Sequence, residues 1–237
     1  LLHNDKTKET ALVDAPEAAP IKAALAERGW RLSDILITHH HFDHVDAVDV
    51  LRTDGVRVHG ALADADRHPK LDASYTDGDR FEVCGMEVLV FDVSGHTNGH
   101  IAFYTPEAQA LFSADSLMGL GCGRLFEGTP HQMWASLLKL RALPPETTVC
   151  SGHEYTVANA RFAITVDPTN AALAARKSEV DAKRARGEPT VPSSLRTEIE
   201  TNPFLRADQP AVAEAVGLAG QDPEVVFAEV RKRKDNF

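Results

Sequence analysis

The chain has 237 residues, and its 43% hydrophobic and 25% charged composition suits a globular protein with a sizeable core. A formal charge of −10 argues against a general nucleic-acid binder, and no apolar run has the length of a membrane span or a secretory leader. Cys84, Cys122 and Cys150 are odd in number, widely spaced and lack a C-x-x-C pair, which predicts reduced thiols in a cytoplasmic setting. The chain starts Leu1-Leu2-His3 without an initiator Met, so the native N-terminus and any targeting signal stay open.

Ala11-Leu12-Val13 predicts a short strand ending at Asp14. A helix follows Pro16, with Ile21, Ala24 and Leu25 on one face and Gly29 as its stop. Ile35 to Thr38 predicts a second strand, Asp43 to Arg52 a helix, and Val56 to Val58 a third strand. This alternation indicates an α/β layered architecture. Residues 60 to 80 are polar and turn-rich. From Phe81 the period becomes two, and short runs at Met86 to Val90, Ile101 to Tyr104 and Ala110 to Ser113 suggest antiparallel strands. A helix follows Pro130, and a strand from Thr147 to Ser151 ends at Gly152-His153.

Beyond residue 155 the character changes. Residues 169 to 187 are rich in Ala, Lys, Arg and Glu and predict a long surface helix, broken by Gly187 to Pro192. Two more helices are expected, Ala211 to Leu218 and Pro223 to Lys234, the latter with Asp222 at its N-cap. The expected division is an α/β domain over 1–153 and an all-helical domain over 154–237.

The most informative stretch is Thr38-His39-His40-His41-Phe42-Asp43-His44, which an apolar strand delivers to its own C-terminal end. Imidazoles and carboxylates are poor core material, and a uniform tag would sit at a terminus, so a metal site is the leading reading. His39 and His41 point to the same side of extended backbone, while Asp43 and His44 come where the chain turns into a helix. Two displaced pairs suit two neighbouring metals better than one. Further donors end other strands: His96 after Val93-Ser94-Gly95, Asp115 after Leu111 to Ala114, and His153 after Val149 to Gly152.

Together the runs T-H-H-H-F-D-H, G-H-T-N-G-H, S-A-D-S-L and S-G-H-E-Y-T resemble the metallo-β-lactamase superfamily. Residues 121 to 129 (G-C-G-R-L-F-E-G-T), Thr201 to Arg206 and the ending Val230 to Phe237 narrow the resemblance to the hydroxyacylglutathione hydrolase, or glyoxalase II, family. The resemblance implies an αββα sandwich with metals at one edge of the sheets and a helical glutathione-binding domain. It implies His39, His41 and His96 on one metal, Asp43, His44 and His153 on a second, and Asp115 with a hydroxide bridging both. Asp43 and Asp115 would be the catalytic carboxylates. His40 and His100 match no ligand position, and His3, His59, His68 and His131 read as ordinary histidines. Imidazole and carboxylate donors suit zinc, iron or manganese, with zinc the family's usual metal.

The implied reaction is hydrolysis of S-D-lactoylglutathione to D-lactate and glutathione, the second step of methylglyoxal detoxification, in a cytoplasmic monomer without nucleic-acid or membrane partners. Arg124, Tyr155, Arg231 and Lys234 match the family's glutathione-binding positions. Alternatives are a glutathione persulfide dioxygenase, which needs one iron, another hydrolase of this fold, and a non-catalytic binding protein, which would need broken ligands. The chain departs from the family at Val45-Asp46-Ala47 (commonly Ala-Gly-Gly), Ser113-Ala114 (commonly Thr-Gly), Arg124 (usually Lys) and Phe126 (frequently Tyr).

Overall fold

Alternation of short aliphatic strands with helices gives parallel pairing in the first part of the chain. The computed structural model describes residues 1–237. β1 (Leu2–His3), β2 (Thr10–Val13), β3 (Asp34–Leu36), β4 (Arg57–Ala61) and β5 (Ala73–Tyr75) form a five-stranded sheet in that order. β1 and β2 are antiparallel and the other pairs parallel. α1 (Ala18–Arg28) ends where Gly29 adopts the left-handed conformation, as its sequence indicates. Leu12, Ile35, Ile37, Val48, Leu51 and Val58 form the buried core.

The expected helix over 43–52 is two shorter ones, α2 (Phe42–Val45) and α3 (Val48–Leu51). The break has a tertiary cause: Ala47 N donates to Ala15 O, and Ala15 N donates to His44 O, so the turn after β2 takes backbone groups a continuous helix would use. The turn-rich region also contains β5, whose three residues are too few for a visible period. β6 (Arg80–Val83), β7 (Met86–Asp92) and β8 (Ile101–Thr105) pair antiparallel as expected, with Phe81 opposite Val88 and Val90 opposite Phe103.

These elements make one compact unit, Leu1–Asp92 with Asn98–Ala108; Val93–Thr97 and Gln109–Phe237 make another. In the latter, β12 (Thr148–Ser151) runs parallel to β9 (Ala110–Ala114) and antiparallel to β13 (Ser193–Ser194). β10 (Leu117–Met118) and β11 (Gly121–Cys122) form a small hairpin. α4 (Pro130–Arg141) carries a capping box in which Thr129 and Gln132 satisfy each other's backbone N–H groups. The change of character near residue 154 falls inside this unit and marks the start of α5 (Thr156–Val166), α6 (Ala171–Ala185), α7 (Leu195–Thr201), α8 (Pro210–Ala215) and α9 (Pro223–Asp235). α5 and α7 exceed what the sequence pattern predicted. α5 is apolar around much of its circumference, with Ala160, Phe162, Ala163 and Val166 buried, so no single stripe announces it.

A buried polar network joins α6 and α7 to the β10–β11 turn. Glu198, fully buried, pairs with Arg176 and accepts from Ser193 Oγ (2.6 Å), Leu120 N (2.9 Å) and Asn202 Nδ2 (3.2 Å). Asn202 Nδ2 also donates to the carbonyls of Met118 and Gly121. Leu120 has φ 56°, a conformation costly for a branched side chain, and this network holds it there. No helix is long and apolar enough to cross a membrane.

Candidate metal centre

In the first unit, residues 37–41 extend β3 without pairing as regular strand, and their backbone is held by Ile37 N to His59 O and Ile101 N to Thr38 O. His39 and His44 are buried, whereas His41 and Asp43 are partly exposed. Asp14, just past β2, organises them. Its φ of 55° is one that Asp tolerates better than most residues. Its carboxylate accepts from Thr38 N (2.9 Å), Thr38 Oγ1 (2.9 Å) and His44 Nδ1 (2.7 Å).

These bonds decide which imidazole nitrogens carry lone pairs. Thr38 Oγ1 spends its one proton on Asp14, so at 3.0 Å it accepts from His39 Nδ1–H. His44 Nδ1 likewise donates to Asp14. As neutral imidazoles, both rings therefore present an unprotonated Nε2, the form a metal ligand requires. His39 is further fixed by a stack on His100, with centroids 4.6 Å apart, and its Nε2 faces His41 Nδ1 at 3.2 Å.

In the second unit, His96 repeats the device. Its Nδ1 donates to Arg124 O at 2.8 Å, which leaves Nε2 as the lone-pair nitrogen. Asp115 Oδ2 lies 3.5 Å from His96 Nε2 and 3.3 Å from His153 Nε2. Close approach explains Gly123 here, since a Cβ would fall 2.0 Å from Asp115 O and 2.9 Å from His96 Nδ1. Ala114, immediately before Asp115, has φ 41°, so the position where the resembled family commonly has Gly is one where Gly is the less strained residue.

The donor chemistry and spacing fit a divalent metal. Two donors on one tetrahedral zinc at about 2.0–2.1 Å stand about 3.3–3.4 Å apart, and the separations within each unit, 3.2, 3.5 and 3.3 Å, match that edge. His40 is turned to other work: its Nδ1 lies 2.9 Å from the buried Asp64 carboxylate, which also accepts from Arg67. Asp14 and Asp64 escaped the sequence reading. Asp14 had a faint signal, a lone carboxylate at a strand end ahead of the histidine run, while Asp64 lies in a polar stretch that offers none.

The four residues matching glutathione-binding positions all lie in the second unit, in unlike environments. Arg124 and Tyr155 are exposed, and Tyr155 stacks on His153 with centroids 4.8 Å apart and planes 9° apart. Phe126, also exposed, meets the His96 ring edge-on. Arg231 is buried (6% exposed): its guanidinium lies over Phe204, Nη1 donates to Cys122 O (3.0 Å) and Nη2 to Asp235 Oδ1 (2.8 Å). The same Asp235 oxygen is 3.5 Å from Arg124 Nε. Lys234 is half-buried, with Nζ 3.4 Å from Ala158 O, and burial lowers its pKa. Burial pushes the Cys122 thiol up to about 11.

Comparison with known proteins bears on the family and the fold. The family model described as the metallo-beta-lactamase superfamily matches residues 5–153, and the hydroxyacylglutathione hydrolase C-terminus model matches residues 154–237. A hydroxyacylglutathione hydrolase of Ruegeria pomeroyi is 60% identical, with all of this chain and 93% of the relative covered. One from a Jannaschia species is 56% identical at the same coverage. Among solved structures, a B3 metallo-beta-lactamase aligns with TM-score 0.66 at 24% identity, over 86% of this chain and 91% of its own. A protein solved in a di-iron-bound form is 31% identical over 60% of this chain and 80% of its own, with TM-score 0.53.

Proposed function

The chain belongs to the hydroxyacylglutathione hydrolase family, a metallo-β-lactamase fold with a helical C-terminal part, and from that premise we infer that it hydrolyses S-D-lactoylglutathione to D-lactate and glutathione. The observation that carries this is the match to such hydrolases at 60% identity along the whole chain, the helical segment included. We propose that residues 1–153 perform the chemistry and residues 154–237 take the glutathione moiety. The proposed donor groups are His39, His41 and His96 on one ion and Asp43, His44 and His153 on another, with Asp115 serving both. Zinc suits these imidazole and carboxylate donors. A relative's di-iron form supports the two-ion count and makes iron the next candidate.

With divalent ions bound there, water is activated near neutral pH and the thioester carbonyl is polarised. The protein's own groups do the rest. Asp14 and Thr38 keep His39 and His44 in the ligating tautomer. Asp43 and Asp115 would supply anionic donors, ligation being the main role of Asp43. A thiolate leaves readily because its conjugate acid has a pKa near 8.5, so no strong general acid is needed. Glutathione is anionic, and a −10 protein needs local cations to receive it. Arg124 and Lys234 offer that charge, Tyr155 a hydroxyl, and the buried Arg231 anchors Asp235 beside Arg124.

The proposed setting is cytoplasmic, in a monomer acting second in methylglyoxal detoxification. The test is lactoylglutathione hydrolysis alongside metal analysis of the same sample. A fully metallated protein that leaves the thioester intact would sink this reading. Oxygen uptake on glutathione persulfide would instead indicate a dioxygenase, which the match over 154–237 does not favour.

A further inference from the structure

An aromatic ladder runs through the helical segment. Phe237 meets Phe162 edge-to-face (5.5 Å, 68°), Phe162 stacks with Phe204 (6.1 Å), and Phe204 meets Phe227 (5.9 Å, 71°). Phe162, Phe204 and Phe227 are fully buried, whereas Phe237 is 66% exposed. Cations lie along it. The Arg231 guanidinium is 5.0 Å from the Phe204 ring centre, and Lys234 Nζ lies 5.4 Å from Phe162 and 5.3 Å from Phe237.

Lys234 sits in the last turn of α9. Phe237 N lies 3.4 Å from Lys234 O, so the chain turns back as the helix ends and brings the Phe237 ring beside the lysine ammonium. The ammonium is thereby bracketed by two ring faces, with one of its three donors directed to Ala158 O. A lysine side chain on a helix surface is otherwise highly mobile, and fixing it on binding costs entropy. Phe162 cannot change without opening the core. Phe237 can.

We propose that Phe237 is a positioning residue that holds Lys234 ready for the anionic end of a glutathione thioester. This rests on the functional reading above, and it concerns binding rather than bond breaking. The experiment compares Phe237→Ala, Phe237→Leu and Phe237→Trp with wild type in the metal-loaded protein. The substrates are lactoylglutathione and a neutral thioester of N-acetylcysteamine. In the Ala and Leu variants, KM for lactoylglutathione should rise about two- to fivefold, the equivalent of about 0.5–1 kcal/mol. kcat and the neutral-thioester KM should hold, and Trp should restore the wild-type KM.

An unchanged KM in Phe237→Ala, rescue by Leu as good as by Trp, or an equal rise on the neutral substrate would overturn the proposal. NMR gives a readout independent of turnover. The Lys234 ε-methylene should show an upfield ring-current shift in wild type that diminishes in Phe237→Ala. Its absence in wild type overturns the positioning role whatever the activity. Its presence in a metallated protein that does not hydrolyse the thioester overturns the functional reading instead, and with it the ligand named here.

Discussion

Replacing Asp14 by Asn changes one oxygen for an NH2 group and almost nothing in volume. The carboxylate accepts three hydrogen bonds, of 2.9, 2.9 and 2.7 Å, two of them at Oδ2. In the variant, Oδ1 can keep Thr38 N, and the new amide N–H groups then face Thr38 Oγ1 and His44 Nδ1. His44 Nδ1 must become an acceptor, which puts its proton on Nε2. Thr38 Oγ1, no longer able to donate to residue 14, turns its proton toward His39 Nδ1 and drives the same inversion there. One atom thus places protons on two nitrogens of the proposed metal ligands. Loss of such supporting partners typically costs roughly 10–100-fold in metal affinity, or about 1.4–2.7 kcal/mol. Competition against a chromophoric chelator measures the affinity, and 15N shifts of the two imidazoles report the tautomers in the metal-free protein. Affinity within threefold of wild type, or unchanged tautomers in the variant, would refute the argument.

Ala114→Gly should stabilise the fold by about 1 kcal/mol, since φ 41° strains any residue with a Cβ; calorimetry should find Tm raised by about 2–4 °C. Phe126→Tyr restores a hydroxyl common at this place in the family and should lower KM for lactoylglutathione roughly two- to tenfold, the range of one net hydrogen bond. An unchanged KM would mean the exposed ring lies away from the substrate. Burial raises the thiols of Cys84 and Cys122 from 9.0 to about 11. The unfolded chain then ionises first, so their contribution is complete below pH 9 and is lost as pH rises through 11. Urea midpoints measured from pH 8 to 11 should fall more steeply in wild type than in a Cys84→Ala/Cys122→Ala variant.

Strand ends were the readable part of this chain. Ile35-Leu36-Ile37 and Leu111-Phe112 are apolar runs that stop at polar residues, and strands lie where those runs indicate. What the sequence concealed depends on contacts between distant segments. The break between α2 and α3 comes from Ala15, and the orientation of His44 from Asp14, neither of which is near in sequence. Arg231 and Lys234 are three residues apart on one helix, a spacing that puts them on one face. Tertiary packing separates them, because Arg231 lies over buried Phe204 while Lys234 stays at the margin under Phe237. α5 was hidden for the opposite reason to a loop: too much of its surface is apolar to show a period.

The contact between Glu198 and Leu120 bears on how this chain could be cut or recombined. The helical segment supplies the acceptor for Leu120 N, and Asn202 supplies the donor for the carbonyls of Met118 and Gly121. Severing the chain after residue 153 would strip three buried backbone groups of their partners and release Leu120 from a backbone conformation it does not favour alone. The helices are therefore a keystone for the hairpin that leads into Gly123 and Arg124, and grafting them onto another sheet would require carrying residues 117–124 with them.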